Sequence, residues 1–256
     1  MDIALNSILG AVLVIGLRVS GIAMFAPFFG SAVIPARMKA AMVIAITAVL
    51  YPVYGSTIGP VDLARWPLLA ASELLIGLAF GITSNMVFEA AQLAGQVLSI
   101  QMGYSLVSLL DPQTEVESTV MSLFHRTVAI LLFLQMNVHH WILKALSRSF
   151  DYLPPGTATI NPMFMAALLR QGAVMLEVAL QIAAPVLAAT LLADIVLGLL
   201  GRASPQMPLL LLGPAAKSLL GLVVLVSVLG SWPDMFDRYF AQSIQYTEQL
   251  LHLARS

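Results

Sequence analysis

Residues 66–110 read WPLLAASELLIGLAFGITSNMVFEAAQLAGQVLSIQMGYSLVSLL, and the acidic stretch DPQTEVEST follows at residues 111–119. A membrane-spanning helix needs about 20 mostly apolar residues, because the hydrocarbon core is about 30 Å thick and a helix rises about 1.5 Å per residue. This run of about 45 residues exceeds one span, so its helix must kink, tilt or project beyond the bilayer. The stretch therefore predicts a membrane protein built from long helices.

The composition of the whole chain supports the same class. Of its 256 residues, 59% are hydrophobic and 10% are charged, whereas a soluble domain is about 25% charged. The formal net charge of −1 leaves no basic surface for nucleic acid. The chain has no cysteine, which excludes disulfides and thiolate metal sites. These figures indicate an integral membrane protein.

Further apolar segments lie on both sides of the long run. Their approximate bounds are 6–28, 38–54, 119–147, 165–200 and 208–231. Residues 233–256 repeat apolar side chains at helical spacing, which predicts a C-terminal amphipathic helix. No linker divides the chain. We therefore predict an all-α polytopic protein of about six spans that forms a single domain over residues 1–256.

Polar side chains interrupt these apolar segments. They are Arg18, Glu73, Glu89, Gln92, Gln96, Glu177, Asp194 and Lys217. A charge at the bilayer centre costs at least about 2.5–3.5 kcal/mol, so these groups must pair, border water or lie outside lipid. Glu89, Gln92 and Gln96 share one helical face. We expect the set to lie at subunit interfaces or in an aqueous lumen, with a solvated helix face as the alternative for that stripe.

Motifs for catalysis or nucleotide binding are absent from the sequence. It has no G-x-S-x-G elbow, no H-E-x-x-H and no phosphate-binding P-loop. His139 and His140 point to different faces of a helix, so we expect neither a metal site nor a cofactor. A proton- or cation-coupled secondary transporter that uses Glu73, Glu89 or Asp194 remains an alternative to a channel subunit.

Four motifs, in order along the chain, resemble those of one family. The first, in residues 27–52, has Pro27, Phe29, Gly30, Pro35 and Lys39. The second has Gly103, Asp111 and Pro112. The third has Asn137, His139, Ser149, Phe150, Leu153 and Pro154. The fourth has Arg202, Pro205, Gln206, Gly213 and Lys217. Together they resemble the FliR/SctT family, whose members are polytopic subunits of the type III secretion export gate in flagella and injectisomes.

The resemblance implies a non-enzymatic subunit of a protein-conducting channel. One copy of this chain would join five FliP-like and four FliQ-like subunits and would meet a FlhB-like switch protein. Its helices would form strongly bent hairpins, as in a fusion of a FliP-like and a FliQ-like part. The assembly would lie in the bacterial inner membrane, in a flagellar basal body or an injectisome base, and project partly to the periplasmic side. Its substrates would be unfolded flagellar or virulence proteins.

The resemblance also assigns a role to the acidic stretch. The loop at residues 105–121 would project into the channel as part of a plug. The plug residues would be Gly103, Leu106, Leu109, Leu110, Asp111, Pro112, Glu115 and Glu117. Their carboxylates would stay hydrated in a lumen, whereas lipid would exclude them.

Overall fold

A computed structural model describes residues 2–27, 30, 34–58, 66–104, 119–159, 161–204 and 209–255. Within these ranges, the side chains of residues 2–7, 57 and 209–211 are not described. The described residues form helices joined by turns, and none of them lies in a strand.

Eight α-helices make up the described chain. Their bounds are α1 Asp2–Phe25, α2 Ala36–Tyr54, α3 Trp66–Gln101, α4 Val120–Gln135, α5 Val138–Tyr152, α6 Pro162–Ala203, α7 Leu209–Val228 and α8 Trp232–Leu253. Short 3₁₀ helices at Gly55–Thr57 and Leu229–Ser231 follow α2 and α7.

Five helical stretches within the described residues are long and apolar enough to cross a membrane. They are Ile8–Phe25, Ala36–Tyr54, Trp66–Gln101, Pro162–Ala203 and Leu212–Leu253. The helices α4 and α5 would make a sixth if the bent pair is one span. The prediction of an all-α polytopic membrane protein is confirmed.

Two of the predicted segments differ from the structure in their bounds. The third helix ends at Gln101 and not near Leu110, because Gly103 has a φ of 86°, which an α-helix cannot continue through. The fourth segment is not one helix over 119–147. It breaks at Asn137, whose φ of 55° is left-handed, and a non-glycine residue there ends the regular helical path.

The described residues group into two compact units, each formed from several parts of the chain. Unit one contains Met1–Met86, Phe133–Gly172 and Phe240–Ser256, and unit two contains Val87–Leu132 and Ala173–Tyr239. The prediction of a single domain over 1–256 stays a prediction.

In unit one, the core joins α3, the turn after α5, the start of α6 and the end of α8. Its buried members are Ile76, Ala79, Leu153, Phe164, Leu250, Leu251 and Ala254. Helix α1 approaches α3 at two glycines. A Cβ built on Gly21 would lie 2.7 Å from the Leu74 carbonyl oxygen, and one on Gly77 would overlap the Arg18 carbonyl oxygen. The small residues therefore allow the two backbones to touch.

In unit two, α4 packs directly on α3. A Cβ on Gly95 would lie 2.5 Å from the Ser122 Cα. The aromatic side chains of Trp232 and Phe236 at the start of α8 are buried, and the Trp232 ring lies 5.1 Å from the His125 ring. This contact anchors the start of α8 to α4.

Large apolar side chains remain exposed on α2, α6 and α7. Examples are Val49 at 72% exposure, Leu192 at 63% and Val226 at 67%. A soluble monomer rarely exposes so much contiguous apolar surface. These faces require lipid or other protein subunits to cover them.

The close approach of α1 and α3 predicts opposite effects of two Gly→Ala changes. Alanine favours a helix over glycine by about 1 kcal/mol, so Gly172→Ala, which has nothing within 4 Å of its new Cβ, should leave stability unchanged or raise it. Gly77→Ala should destabilise the purified protein by about 1–3 kcal/mol, because its Cβ overpacks a backbone contact. Thermal unfolding in detergent micelles compares the two variants. Equal melting temperatures would contradict the close contact at Gly77.

Candidate functional site

The most buried polar pair lies in unit one and joins α1 to α3. The Arg18 Nε donates to Glu73 Oε2 over 2.7 Å, and both side chains are 0% exposed. Removing two charges from water costs several kcal/mol for each ion, so such a pair persists only if further hydrogen bonds satisfy both groups. The structure supplies these bonds.

The remaining donors of Arg18 bind the C-terminal end of α5. Its Nη1 donates to the Ser149 carbonyl oxygen and its Nη2 to the Leu153 carbonyl oxygen, each over 3.0 Å. The Ser149 carbonyl oxygen also accepts the Leu153 N–H, whereas Leu153 lies past the last helical turn, where carbonyls have no partner within the helix. A cation at this end also complements the helix dipole. The guanidinium carbon also lies 4.4 Å from the centre of the Phe150 ring, a cation–π contact. Arg18 therefore caps α5 from a different helix.

The second oxygen of Glu73 holds the turn that follows α5. Glu73 Oε1 accepts the Gly156 backbone N–H over 3.0 Å. In this turn the Thr157 N–H donates to the Pro154 carbonyl oxygen over 3.1 Å, and Gly156 has a φ of 82°. Proline followed by a glycine with positive φ is the sequence of a type II turn. Leu153 and Pro154, the last residues of the third sequence motif, thus lie at the helix end and turn that the Arg18–Glu73 pair holds together.

A second polar cluster lies in unit two and links α3, α6 and α7. Lys217 Nζ lies 2.9 Å from Asp194 Oδ1, and Gln101 Nε2 donates to Asp194 Oδ2 over 2.8 Å. The Asp194 side chain is 41% exposed and that of Lys217 is 18% exposed, so this pair is more accessible than Arg18–Glu73. The cluster lies where α3 ends, just before residue 105.

The end of α3 is held in a defined geometry. The Tyr104 N–H donates to the Ser99 carbonyl oxygen over 2.9 Å, and the Gly103 N–H donates to the Ile100 carbonyl oxygen over 3.2 Å. These bonds, with the positive φ of Gly103, form a Schellman motif. The Ser218 hydroxyl donates to the Tyr104 hydroxyl over 2.6 Å. Tyr104, the residue that follows this helix end, is therefore held against α7.

The start of α4 is also fixed, on the other side of residues 105–118. The Ser122 N–H donates to Thr119 Oγ1 over 3.2 Å, as an N-terminal cap does. Arg126 Nη1 donates to Gln92 Oε1 over 2.7 Å, which adds a polar bond between α4 and α3 near Gly95. Both ends of the acidic stretch are therefore anchored within unit two.

The structure brings together some of the predicted polar residues and not others. Arg18 and Glu73 form one pair, Asp194 and Lys217 form another, and Gln92 binds Arg126. Glu89 and Gln96 are half-buried, and Glu177 is exposed. That these residues lie at subunit interfaces or in a lumen stays a prediction.

Several predicted residues lie outside the described part of the chain. They are Leu106, Leu109, Leu110, Asp111, Pro112, Glu115 and Glu117 of the plug, and Phe29, Pro205 and Gln206 of the family motifs. Pro27, Gly30, Pro35 and Arg202 are described. These four residues are positions of the predicted family motifs, and the sequence predicts no particular contact for them.

Sequence reasoning missed the bonds that Tyr104, Ser218 and Thr119 make. A tyrosine next to a helix-ending glycine, and a threonine three residues before a serine in a new helix, are weak local signals. The partner of Tyr104 lies 114 residues away. Local patterns cannot supply such a pairing.

Comparison with known proteins tests the resemblance. The model of the family described as "Bacterial export proteins, family 1" matches residues 9–243. The flagellar biosynthetic protein FliR of Escherichia coli (strain K12) is 30% identical over 228 residues, which cover 88% of this chain and 87% of that protein. FliR of Bacillus subtilis (strain 168) is 29% identical over 97% of this chain and 98% of its own length.

A relative from a second kind of secretion system also matches. The secretion system apparatus protein SsaT of Salmonella typhimurium is 26% identical over 182 residues, which cover 71% of this chain and 69% of that protein. The chain belongs to bacterial export protein family 1, the FliR/SctT family of type III export gate subunits. It is therefore a component of a type III export apparatus, and the predicted family is confirmed.

The buried pair predicts a large loss of stability when one partner is removed. Arg18→Leu leaves the Glu73 carboxylate buried without its cation and removes the Arg18 donors from the Ser149 and Leu153 carbonyl oxygens, which should cost about 3–5 kcal/mol. The double variant Arg18→Leu/Glu73→Leu should recover part of this loss, because no unpaired charge remains. Thermal unfolding of the purified chain in detergent measures both effects.

Arg148→Leu serves as the matched control for this prediction. Arg148 is 62% exposed and lies 3.9 Å from Glu248, and an exposed pair contributes only about 0–1 kcal/mol. If Arg18→Leu and Arg148→Leu melted at the same temperature, the assigned role of the buried pair would be wrong.

Proposed function

We propose that this chain is a non-enzymatic subunit of a protein-conducting channel, the type III export gate of a bacterial inner membrane. The channel passes unfolded flagellar or virulence proteins. The observation that carries the proposal is the family match over residues 9–243, joined to helices whose exposed apolar faces need lipid or partner subunits.

The partners follow from the same family. One copy of this chain joins five FliP-like and four FliQ-like subunits, and a FlhB-like switch protein contacts the assembly. The complex stands in a flagellar basal body or an injectisome base and projects partly to the periplasmic side. The FliR relatives support a flagellar basal body, and the SsaT relative supports an injectisome base.

Residues 105–121 act as part of a plug in this proposal. Support comes from the two anchors: a capped helix end at Gly103 bonded to α7 through Tyr104, and a helix start packed on Gly95. A segment whose two flanking residues are both fixed can be held across a channel. The carboxylates of Asp111, Glu115 and Glu117 keep their hydration in a lumen, which lipid would not provide.

The transporter alternative has less support. A proton or cation site needs a carboxylate that is free to exchange its ion. Glu73 is fully buried and bonded on both oxygens, and Asp194 is held by Lys217 and Gln101. Coupled solute uptake by the purified chain alone in liposomes would favour the transporter, whereas stable co-purification with two small hydrophobic subunits favours the gate.

The plug role predicts that shortening the segment opens the channel. Deletion of residues 106–116 should leave the complex assembled, since both anchors lie outside the deletion, and should raise its permeability to small ions. The purified complex in liposomes, loaded with a potassium-sensitive dye, measures the leak. Unchanged permeability in assembled deletion complexes would contradict the plug.

A triple isosteric variant is the control for this deletion. Asp111→Asn/Glu115→Gln/Glu117→Gln keeps the length and volume of the segment and removes only its charge. If the segment blocks the channel by its volume, this variant should stay closed. A leak as large as that of the deletion would assign the block to charge and contradict occlusion by volume.

A further inference from the structure

Glu177 is a carboxylate on an apolar, exposed surface of α6 in unit two. Its neighbours on the same surface are Leu176 and Leu180, which are 52% and 56% exposed. Glu177 is itself exposed, and it lies within the apolar stretch Pro162–Ala203. A charge among exposed leucines is unusual, because a charged group that faces lipid loses its hydration.

Two neighbouring side chains orient this carboxylate. Gln181 Nε2 donates to Glu177 Oε1 over 3.2 Å, and the Tyr239 hydroxyl donates to Gln181 Oε1 over 2.7 Å. Because Tyr239 occupies the amide oxygen of Gln181, the amide NH₂ is directed at Glu177. These two hydrogen bonds, which run from α8 to α6, therefore restrict the rotamers of Gln181 and Glu177 before another molecule binds. Such preorganisation lowers the entropy cost of binding.

No cation of the described residues neutralises Glu177. The ion pairs among the described residues include Arg18–Glu73, Arg148–Glu248 and Lys217–Asp194. Arg238, next to Tyr239 on α8, donates its Nε to the Asp234 carbonyl oxygen over 3.2 Å and makes no ion pair with Glu177. The carboxylate of Glu177 is thus oriented but has no ion-pair partner among the described residues.

Asp194, on the same helix, provides the contrast. It also lies on an apolar exposed face, beside Leu191 and Ile195, and it is paired with Lys217 from α7. A carboxylate on this helix is therefore accommodated by a cation from a neighbouring helix. For Glu177, a helix from outside the described chain is needed to do the same.

We infer that the surface formed by Leu176, Glu177, Leu180 and Gln181 docks a transmembrane helix of another subunit, which places a Lys or Arg side chain against Glu177. The leucines bury apolar area against that helix, and the charge fixes its register. This inference rests on the proposed function, because it requires an obligate membrane assembly. An Arg guanidinium fits best, since its planar fork binds both carboxylate oxygens.

Charge reversal at Glu177 tests the inference in the assembled complex. The chain is co-expressed with the FliP-like and FliQ-like subunits and purified through a tag on this chain. Glu177→Lys should lower the recovery of at least one subunit by about tenfold or more, because like charges facing each other cost several kcal/mol. Glu177→Gln should cause a smaller loss. Asp237→Lys makes the same charge change at an exposed position of α8 and should assemble as the wild type does.

A photo-crosslinking amino acid at Leu180 identifies what covers the surface. The expected product is an adduct with a subunit polypeptide within about one helical turn of a Lys or Arg, and exchange of that residue for Glu should restore assembly of Glu177→Lys. Adducts with phospholipid alone, or wild-type recovery with Glu177→Lys, would overturn the inference.

Assembly of the wild-type chain distinguishes failure of the docking surface from failure of the proposed function. If the wild-type chain recovers neither subunit, the proposed function fails. If the wild type assembles and Glu177→Lys assembles equally well, only the docking surface is wrong.

Discussion

A buried ion pair between Arg18 and Glu73 is the interaction on which the rest of unit one depends. It joins α1 to α3, caps the last carbonyls of α5 and holds the Pro154–Thr157 turn through a single backbone N–H. Two charges that are fully removed from water tolerate few alternative arrangements. The pair therefore specifies how three helices and one turn meet, beyond any stability it adds.

The glycines of α1 and α3 make this pair possible. Gly77 lies against the Arg18 carbonyl and Gly21 against the Leu74 carbonyl, so the backbones touch beside the pair itself. With the helices this close, Arg18 reaches Glu73 with its Nε and still has both terminal nitrogens free for α5. Small residues and a long polar side chain thus act together in the same contact.

Unit two also contains an ion pair that joins helices, but the side chains of this pair are more exposed to solvent. Asp194, Lys217 and Gln101 join three helices at the end of α3, and Tyr104 and Ser218 add a second link at the same place. These bonds fix the end of α3 just before residue 105, and the Thr119 cap fixes the start of α4.

The amino-acid sequence alone determined the class of the protein, its helical segments and its family, because apolar runs and motif spacing are local properties of the chain. It also located the polar residues that lipid would reject. It did not predict that α3 ends at Gln101, that the fourth apolar segment breaks at Asn137 or that Arg18 caps α5. Those features follow from contacts between residues 55 to 135 positions apart, and from backbone angles at single residues. Only the tertiary structure decides them, because a buried charged side chain can bind only those groups that packing places within hydrogen-bond distance.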